Sequence, residues 1–174
     1  MSTAKKTPTR STASRKAAPD AVKLLTEDHE EVKALFKQYQ KLVKAEGSDD
    51  EKLAVAQEIC VKLTVHATVE EELFYPAARE ALGEDADLVD EADVEHASAK
   101  ELIGQIEASS PDDDDHFDAK VKVLGEYIDH HVKEEEGEMF PKVKKTELDL
   151  VAMGAEMAAR KEELLEELGV AASA

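Results

Sequence analysis

From Asp20 onward, apolar residues recur every three or four positions, the spacing that lines one face of an α-helix. The first such stretch, about residues 20–45, carries Val22, Leu25, Val32, Phe36, Tyr39 and Val43 on one stripe and ends near Gly47. A second, about 49–75, puts Ile59, Leu63 and Leu73 on its stripe. Pro76 is expected to end or kink it, because proline has no amide proton and its ring collides with the preceding turn. A third, about 85–109, repeats Val89, Ala92, Ala99, Ile103 and Ile106, then stops at Ser109-Ser110-Pro111. The acidic loop Asp112 to Asp115 offers capping side chains and favourable charge to a fourth, about 115–140, with Val121, Leu124, Ile128 and Met139 on one face. A fifth, about 146–168, holds Leu148, Leu150, Val151, Met157, Leu164, Leu165 and Leu168, and packs outside the others or serves an interface. The predicted class is all-α, and abundant Ala, Glu, Leu, Lys and Val with few Gly or Pro and no Trp agrees.

Six polar residues sit inside these apolar stripes: His29, His66, Glu70, His96, His131 and Glu135. They form a repeat. His66-Ala67-Thr68-Val69-Glu70-Glu71-Glu72 runs on through Phe74 and Tyr75 to Pro76. His131-Val132-Lys133-Glu134-Glu135-Glu136 runs on through Met139 and Phe140 to Pro141, 65 residues later. Each run is preceded by an acid-His pair, Asp28-His29 and Glu95-His96. On a helix, residues four apart lie about 6 Å apart along the axis on one face, so each His-x-x-x-Glu points both side chains into one space. A single histidine on an apolar face reads as a core residue hydrogen-bonded to a neighbour. Four in register, two with a glutamate four residues on, read as metal ligands, since buried polar groups without partners cost several kcal/mol. Imidazole and carboxylate suit iron, manganese or zinc, and a single cysteine rules out a thiolate-rich site.

His130 and Glu134 share the same spacing, but the repeat and the Val121-Leu124-Ile128 stripe select His131 and Glu135. His116, in the acidic loop, is expected to be solvated. Glu71, Glu72, Glu134 and Glu136 are expected to be exposed charge or to support the ligands. Tyr127, one turn before His131, is expected as a half-buried core tyrosine, with a donor role beside the metal as the alternative.

The 174 residues suit one domain with a real core. A net charge of −19 argues against general nucleic-acid or anionic-membrane binding by the folded part. Residues 1–19 carry Lys5, Lys6, Arg10, Arg15 and Lys16, no acid and no large apolar residue after Met1. They are expected to be a disordered tail, solubilising or in weak contact with nucleic acid; an organelle transit peptide would want bulky apolar residues as well. The lone Cys60 fits a reducing compartment, and neither a membrane-spanning stretch nor a secretory signal is visible, so the expected location is cytoplasmic.

With Leu24-Leu25-Thr26-Glu27-Asp28-His29, His66-x-x-x-Glu70-Glu71 ending in Phe74-Tyr75-Pro76, Glu95-His96, and His131-x-x-x-Glu135-Glu136 ending in Phe140-Pro141, the chain resembles the hemerythrin family. Within it the likeness is to the bacterial proteins with His-His-Glu cation-binding repeats. It divides the chain into a tail at 1–19, a bundle at 20–143, and a C-terminal helix and tail at 144–174. The resemblance implies an up-down-up-down four-helix bundle holding two non-haem iron ions. His29 and His66 would bind one iron, His96 and His131 the other, and Glu70 and Glu135 would bridge them. The chain departs from the oxygen-carrying members, which have His-x-x-x-His on the third helix where Lys100 falls here, and His-x-x-x-x-Asp on the fourth. Two histidines per ion leave both ions open, which favours reaction with O₂, peroxide or NO over reversible oxygen carriage. The competing reading is an iron-homeostasis module that binds metal without turnover.

Overall fold

In the computed structural model, which describes residues 19–170, α1 (Ala21–Lys44) leads through a tight turn into α2 (Asp49–Val69). A single π-helical turn, Glu70–Phe74, connects α2 to α3 (Tyr75–Leu82). After one 3₁₀ turn come α4 (Asp87–Glu107) and α5 (Phe117–Glu134). A second π turn, Glu135–Met139, leads to the short α6 (Phe140–Val143), and α7 (Leu150–Glu167) closes the chain. α1 packs on α2 and α5, and α4 packs on α5 and α2, which makes a four-helix bundle of successive rods; α7 lies outside against α1 and α2. Among the described residues there is no strand, and no helix is long and apolar enough to cross a membrane.

The helix starts follow local chemistry. Ser48 and Glu51 form a reciprocal capping box before α2, while the Asp20 and Asp149 carboxylates accept from the Lys23 and Ala152 amides at 2.9 and 3.0 Å. The acidic loop does not cap α5 as expected. His116 occupies the capping position without a side-chain bond, and Asp114 uses its carboxylate to accept from the His116 amide, so the helix begins at Phe117.

Pro76 does not end its helix. It sits in the first turn of α3, and the chain stays helical to Leu82, where Gly83 adopts φ 58°. Pro141 holds the same place in α6. The wider π turn before each proline gives the ring room and needs no amide from it. The extra residue also rotates the register: Leu73, expected inside, is half-buried, whereas Phe74 and Tyr75 are fully buried. Val43, Val151 and Leu168, read as stripe positions, are exposed. α7 is covered on one side alone, and there it sits close: a Cβ on Gly154 would lie 2.4 Å from the Pro19 carbonyl oxygen and 2.7 Å from the Ala21 nitrogen.

The core falls into two apolar blocks. One contains Leu25, Val69, Ala92, Phe74 and Met139 beside α7, and the other Val32, Leu63, Ala99, Leu124 and Phe117 toward the opposite end. α1, α2 and α4 each cross from one block to the other, α5 does so with the π turn and α6 that continue it, and at the crossing each rod carries a buried histidine, His29, His66, His96 or His131.

Candidate metal centre

The layer between the blocks gathers all six stripe residues. His29, His66, His96 and His131 are buried, and Glu70 and Glu135 are shut off from solvent at 0% and 1% exposure. Helix spacing aims His66 and Glu70 inward together, and likewise His131 and Glu135. α2 and α5 lie diagonally across the bundle and run in the same direction, which brings the two sets face to face. Glu70 Oε2 lies 3.2 Å from His66 Nε2 and 3.3 Å from His96 Nε2. Glu135 Oε2 lies 3.2 Å from His29 Nε2 and 3.4 Å from His131 Nε2. Each carboxylate therefore touches one histidine of the His29–His66 pair and one of the His96–His131 pair. His130, one residue from His131, is 66% exposed in its side chain and takes no part in the layer.

Among the described residues, four buried atoms of this layer have no hydrogen-bond partner: His29 Nε2, His66 Nε2, Glu70 Oε1 and Glu135 Oε2. Orphan groups at such depth are rare and costly. They are lone pairs converging from nitrogen and oxygen, which is what a borderline or hard divalent cation requires. The potential ligand atoms lie within 4.8 Å of one another inside each of two groups, His29-His66-Glu70-Glu135 and Glu70-His96-His131. The donor set fits metal.

A second ring of carboxylates grips the far side of every imidazole. Glu136 meets His29 Nδ1 at 2.9 Å, Asp28 meets His66 Nδ1 at 3.4 Å, Glu71 meets His96 Nδ1 at 2.9 Å, and Glu95 meets His131 Nδ1 at 2.7 Å. A carboxylate can only accept, so this contact keeps the proton on Nδ1 and leaves Nε2 free as a ligand. Two of the four acids are themselves held by lysine: Lys100 Nζ bonds Glu71 at 2.5 Å, and Lys161 of α7 pairs with Asp28. Sequence spacing placed Asp28 and Glu95 beside His29 and His96, yet each acid serves the histidine of the next rod. Glu71 and Glu136 are ligand supports, one of the two roles expected for them. Glu72, the third acid of the run, is drawn instead to Arg160 of α7 at 2.7 Å.

Tyr75 is the residue that helix periodicity missed. Its hydroxyl donates to Glu135 Oε1 at 2.8 Å and stands 3.2 Å from His96 Nε2 and 3.5 Å from Glu70 Oε2. In a π turn the residue five ahead comes back over the first, so Tyr75 lies over Glu70 where α-helical counting looks for 73 or 74. The repeated aromatic-proline pairs, Tyr75-Pro76 and Phe140-Pro141, were the available signal. Tyr127, the tyrosine considered from sequence, is half exposed on α5 and fills neither the core nor the site. The repeat is asymmetric here, for Phe140 takes the place of Tyr75 in the other half and stacks on His29 with ring centres 5.9 Å apart.

Charge in the layer is tightly linked. Burial disfavours protonation of His29, but its contact with Glu135 and the charge of Glu70 outweigh it and push the imidazole up to about 9. Burial, then the charge of Glu135, push Glu70 up. Burial acts on Glu135 in the same sense, but the surrounding imidazoles, His131 and His29 foremost, hold it well below the usual carboxylate range. Burial and both carboxylates drive the Tyr75 phenol far above its ordinary value, so it keeps its proton. Beside the histidines is a cavity of about 20 Å³, room for one small molecule, walled by Val32, Leu63, Ala99, Ile103 and Ile128.

Comparison with known proteins points the same way. Residues 20–143 match the family described as the hemerythrin HHE cation-binding domain. The fold is similar to the crystal structure of a hemerythrin HHE cation-binding domain-containing protein from Mycobacterium kansasii, with a TM-score of 0.69, 25% identity, and coverage of 86% of this chain and 89% of that one. Over 120 residues, 67% of this chain, the sequence is 32% identical to a protein of Nostoc sp. (strain PCC 7120) named as a DNA nickase; the chain spans 31% of that protein's length.

Proposed function

The chain belongs to the hemerythrin HHE cation-binding family, and on that premise we propose that it is a non-haem di-iron protein that reacts with, or senses, O₂, peroxide or NO. The observation that carries the proposal is the set of orphaned ligand atoms in a duplicated His/Glu layer that opens on a cavity sized for a small molecule. His29 and His66 would hold one ion, His96 and His131 the other, with Glu70 and Glu135 between them. Bound iron would supply the electrons and Lewis acidity of the reaction. The chain's own residues do the rest. Asp28, Glu71, Glu95 and Glu136 orient the imidazoles, the aliphatic walls exclude bulk water, and Tyr75 holds a proton at its hydroxyl 2.8 Å from Glu135.

Lys100 supports reactivity over oxygen carriage. It stands where the carriers have a further histidine, and its ammonium is tied to Glu71, so the layer offers two nitrogens per ion. Cys60 does not compete as a redox group: burial, with the charge of Glu107, pushes its thiol up to about 12. A cytoplasmic setting belongs to the same proposal. DNA nicking, named for the Nostoc protein, is not carried over, because the match spans 31% of that protein and this chain has a net charge of −19.

Elemental analysis with an optical spectrum of aerobically purified protein, followed by stopped-flow mixing of the reduced protein with O₂, peroxide and NO, tests the proposal. About two irons per chain and rapid repeated oxidation support it. One tightly bound zinc without an iron spectrum refutes it, and a single slow oxidation favours the iron-homeostasis reading.

A further inference from the structure

The two halves of the bundle treat their outer carboxylates differently. In the first half, Asp28 supports His66 and is itself neutralised by the ammonium of Lys161, which α7 brings over it. The residues that correspond to His130 and Glu134, counted back through the 65-residue repeat, are Val65 and Val69, both 1% exposed. In the second half Glu95 supports His131 through Oε2, and among the described residues no lysine pairs with it. Its other oxygen, Oε1, faces His130 Nε2 at 3.4 Å, and Glu134 Oε1 faces the same nitrogen at 3.2 Å. One imidazole and two carboxylates thus converge at the surface, with their ligand atoms within 4.8 Å of one another.

Two members of this cluster, Glu95 and Glu134, also line a small cleft between α4 and α5. Glu91, Glu95 and Glu134 line its outer part, and His131 and Glu135 line its inner part. Among the described residues no lysine or arginine lines it, whereas the opening beside His29 carries Lys33, Lys37 and Lys122. Glu135 is 1% exposed, and its Oε2 is one of the orphaned atoms of the layer. The cleft therefore runs from these surface carboxylates, past Leu88, Ala92 and Met139, to His131 and Glu135 of the buried layer.

We propose that Glu95, His130 and Glu134 form a third, solvent-facing divalent-cation site, distinct from the buried layer, from which metal is loaded through this cleft. An external cation there takes the part that the Lys161 ammonium plays for Asp28. Glu95 belongs to both places: one oxygen faces the surface cation, and the other holds His131. The imidazole and carboxylate donors suit ferrous iron, zinc or manganese, and the exposure of His130 suits a weak site that releases what it binds. The loading role rests on the buried layer being a metal centre, while the surface site does not.

The test begins with analysis of the resident metal in purified wild type, His130→Ala and Glu134→Gln, neither of which alters a buried residue. Each protein is then dialysed against excess Zn²⁺ and analysed again. The expected result is about one additional zinc per chain in wild type and none in either variant, with resident metal unchanged. For loading, chelator-stripped wild type and His130→Ala are refilled anaerobically with Fe²⁺; the variant is expected to fill several-fold more slowly to the same final content. Equal zinc uptake in all three proteins overturns the site, and equal filling rates overturn the loading role. An absence of resident and reloadable metal overturns the di-iron reading instead, and is distinguishable because the zinc comparison is still read.

Discussion

Removal of the metal should make the protein's stability depend on pH through His29. In the metal-free protein the neighbouring carboxylates raise this imidazole from 6.5 to about 9. A tenfold change in proton affinity corresponds to about 1.4 kcal/mol, so the charged His29 contributes about 3 kcal/mol of folding stability. A raised histidine pKa means the folded state binds the proton more tightly than the unfolded state does. The contribution is therefore complete below pH 6.5 and is lost as the pH climbs through about 9. Metal coordination uses the neutral imidazole, so the loaded protein should not lose this amount over that window. The assay is urea unfolding at pH 6 and pH 9.5, with and without chelator, in wild type and His29→Gln. Metal-free wild type should lose about 3 kcal/mol between the two pH values, or about 6–12 °C of melting temperature. The loaded protein and metal-free His29→Gln should change much less. A metal-free wild type whose stability is flat or rises across this range would refute the reasoning, as would a loaded protein that falls in parallel.

His131→Ala should remove one iron or abolish the iron spectrum, because no other nitrogen reaches that place, whereas His130→Ala should retain the resident metal; exchanged outcomes would put the register of α5 off by one. Tyr75→Phe should keep metal content but lose the bond to Glu135, at a cost of about 1 kcal/mol, and its altered rate or pH profile toward peroxide in stopped-flow would separate a proton-holding role from simple packing. Gly154→Ala forces a methyl group into the backbone at Pro19 and Ala21 and should destabilise the fold by about 1–3 kcal/mol, seen as a lower urea midpoint. Asp28→Asn should weaken retention of one ion about 10–100-fold in competition with a chelator, since it removes the negative charge and leaves one acceptor oxygen where His66 and Lys161 each use one.

What could be read from the chain alone was what depends on neighbours a few residues apart. The 3.6-residue period shows in Val121, Leu124, Ile128 and His131 because side chains three and four apart must share a face, and the same period selected His131 over His130. The duplicated His-x-x-x-Glu pointed to metal because buried donors in register need a common partner. Tyr75 was hidden because the π turn breaks that period, bringing a residue five positions on over Glu70. The cross-pairing of Asp28 with His66 and of Glu95 with His131 was hidden for a different reason: those contacts span 38 and 36 residues and exist only once the rods pack antiparallel. The inequality of the two halves is also tertiary. Their motifs are near copies, but α7 covers the first half and lays Lys161 on Asp28, whereas the second half keeps Glu95, His130 and Glu134 open to solvent, and nothing local to either motif encodes which side the last helix takes.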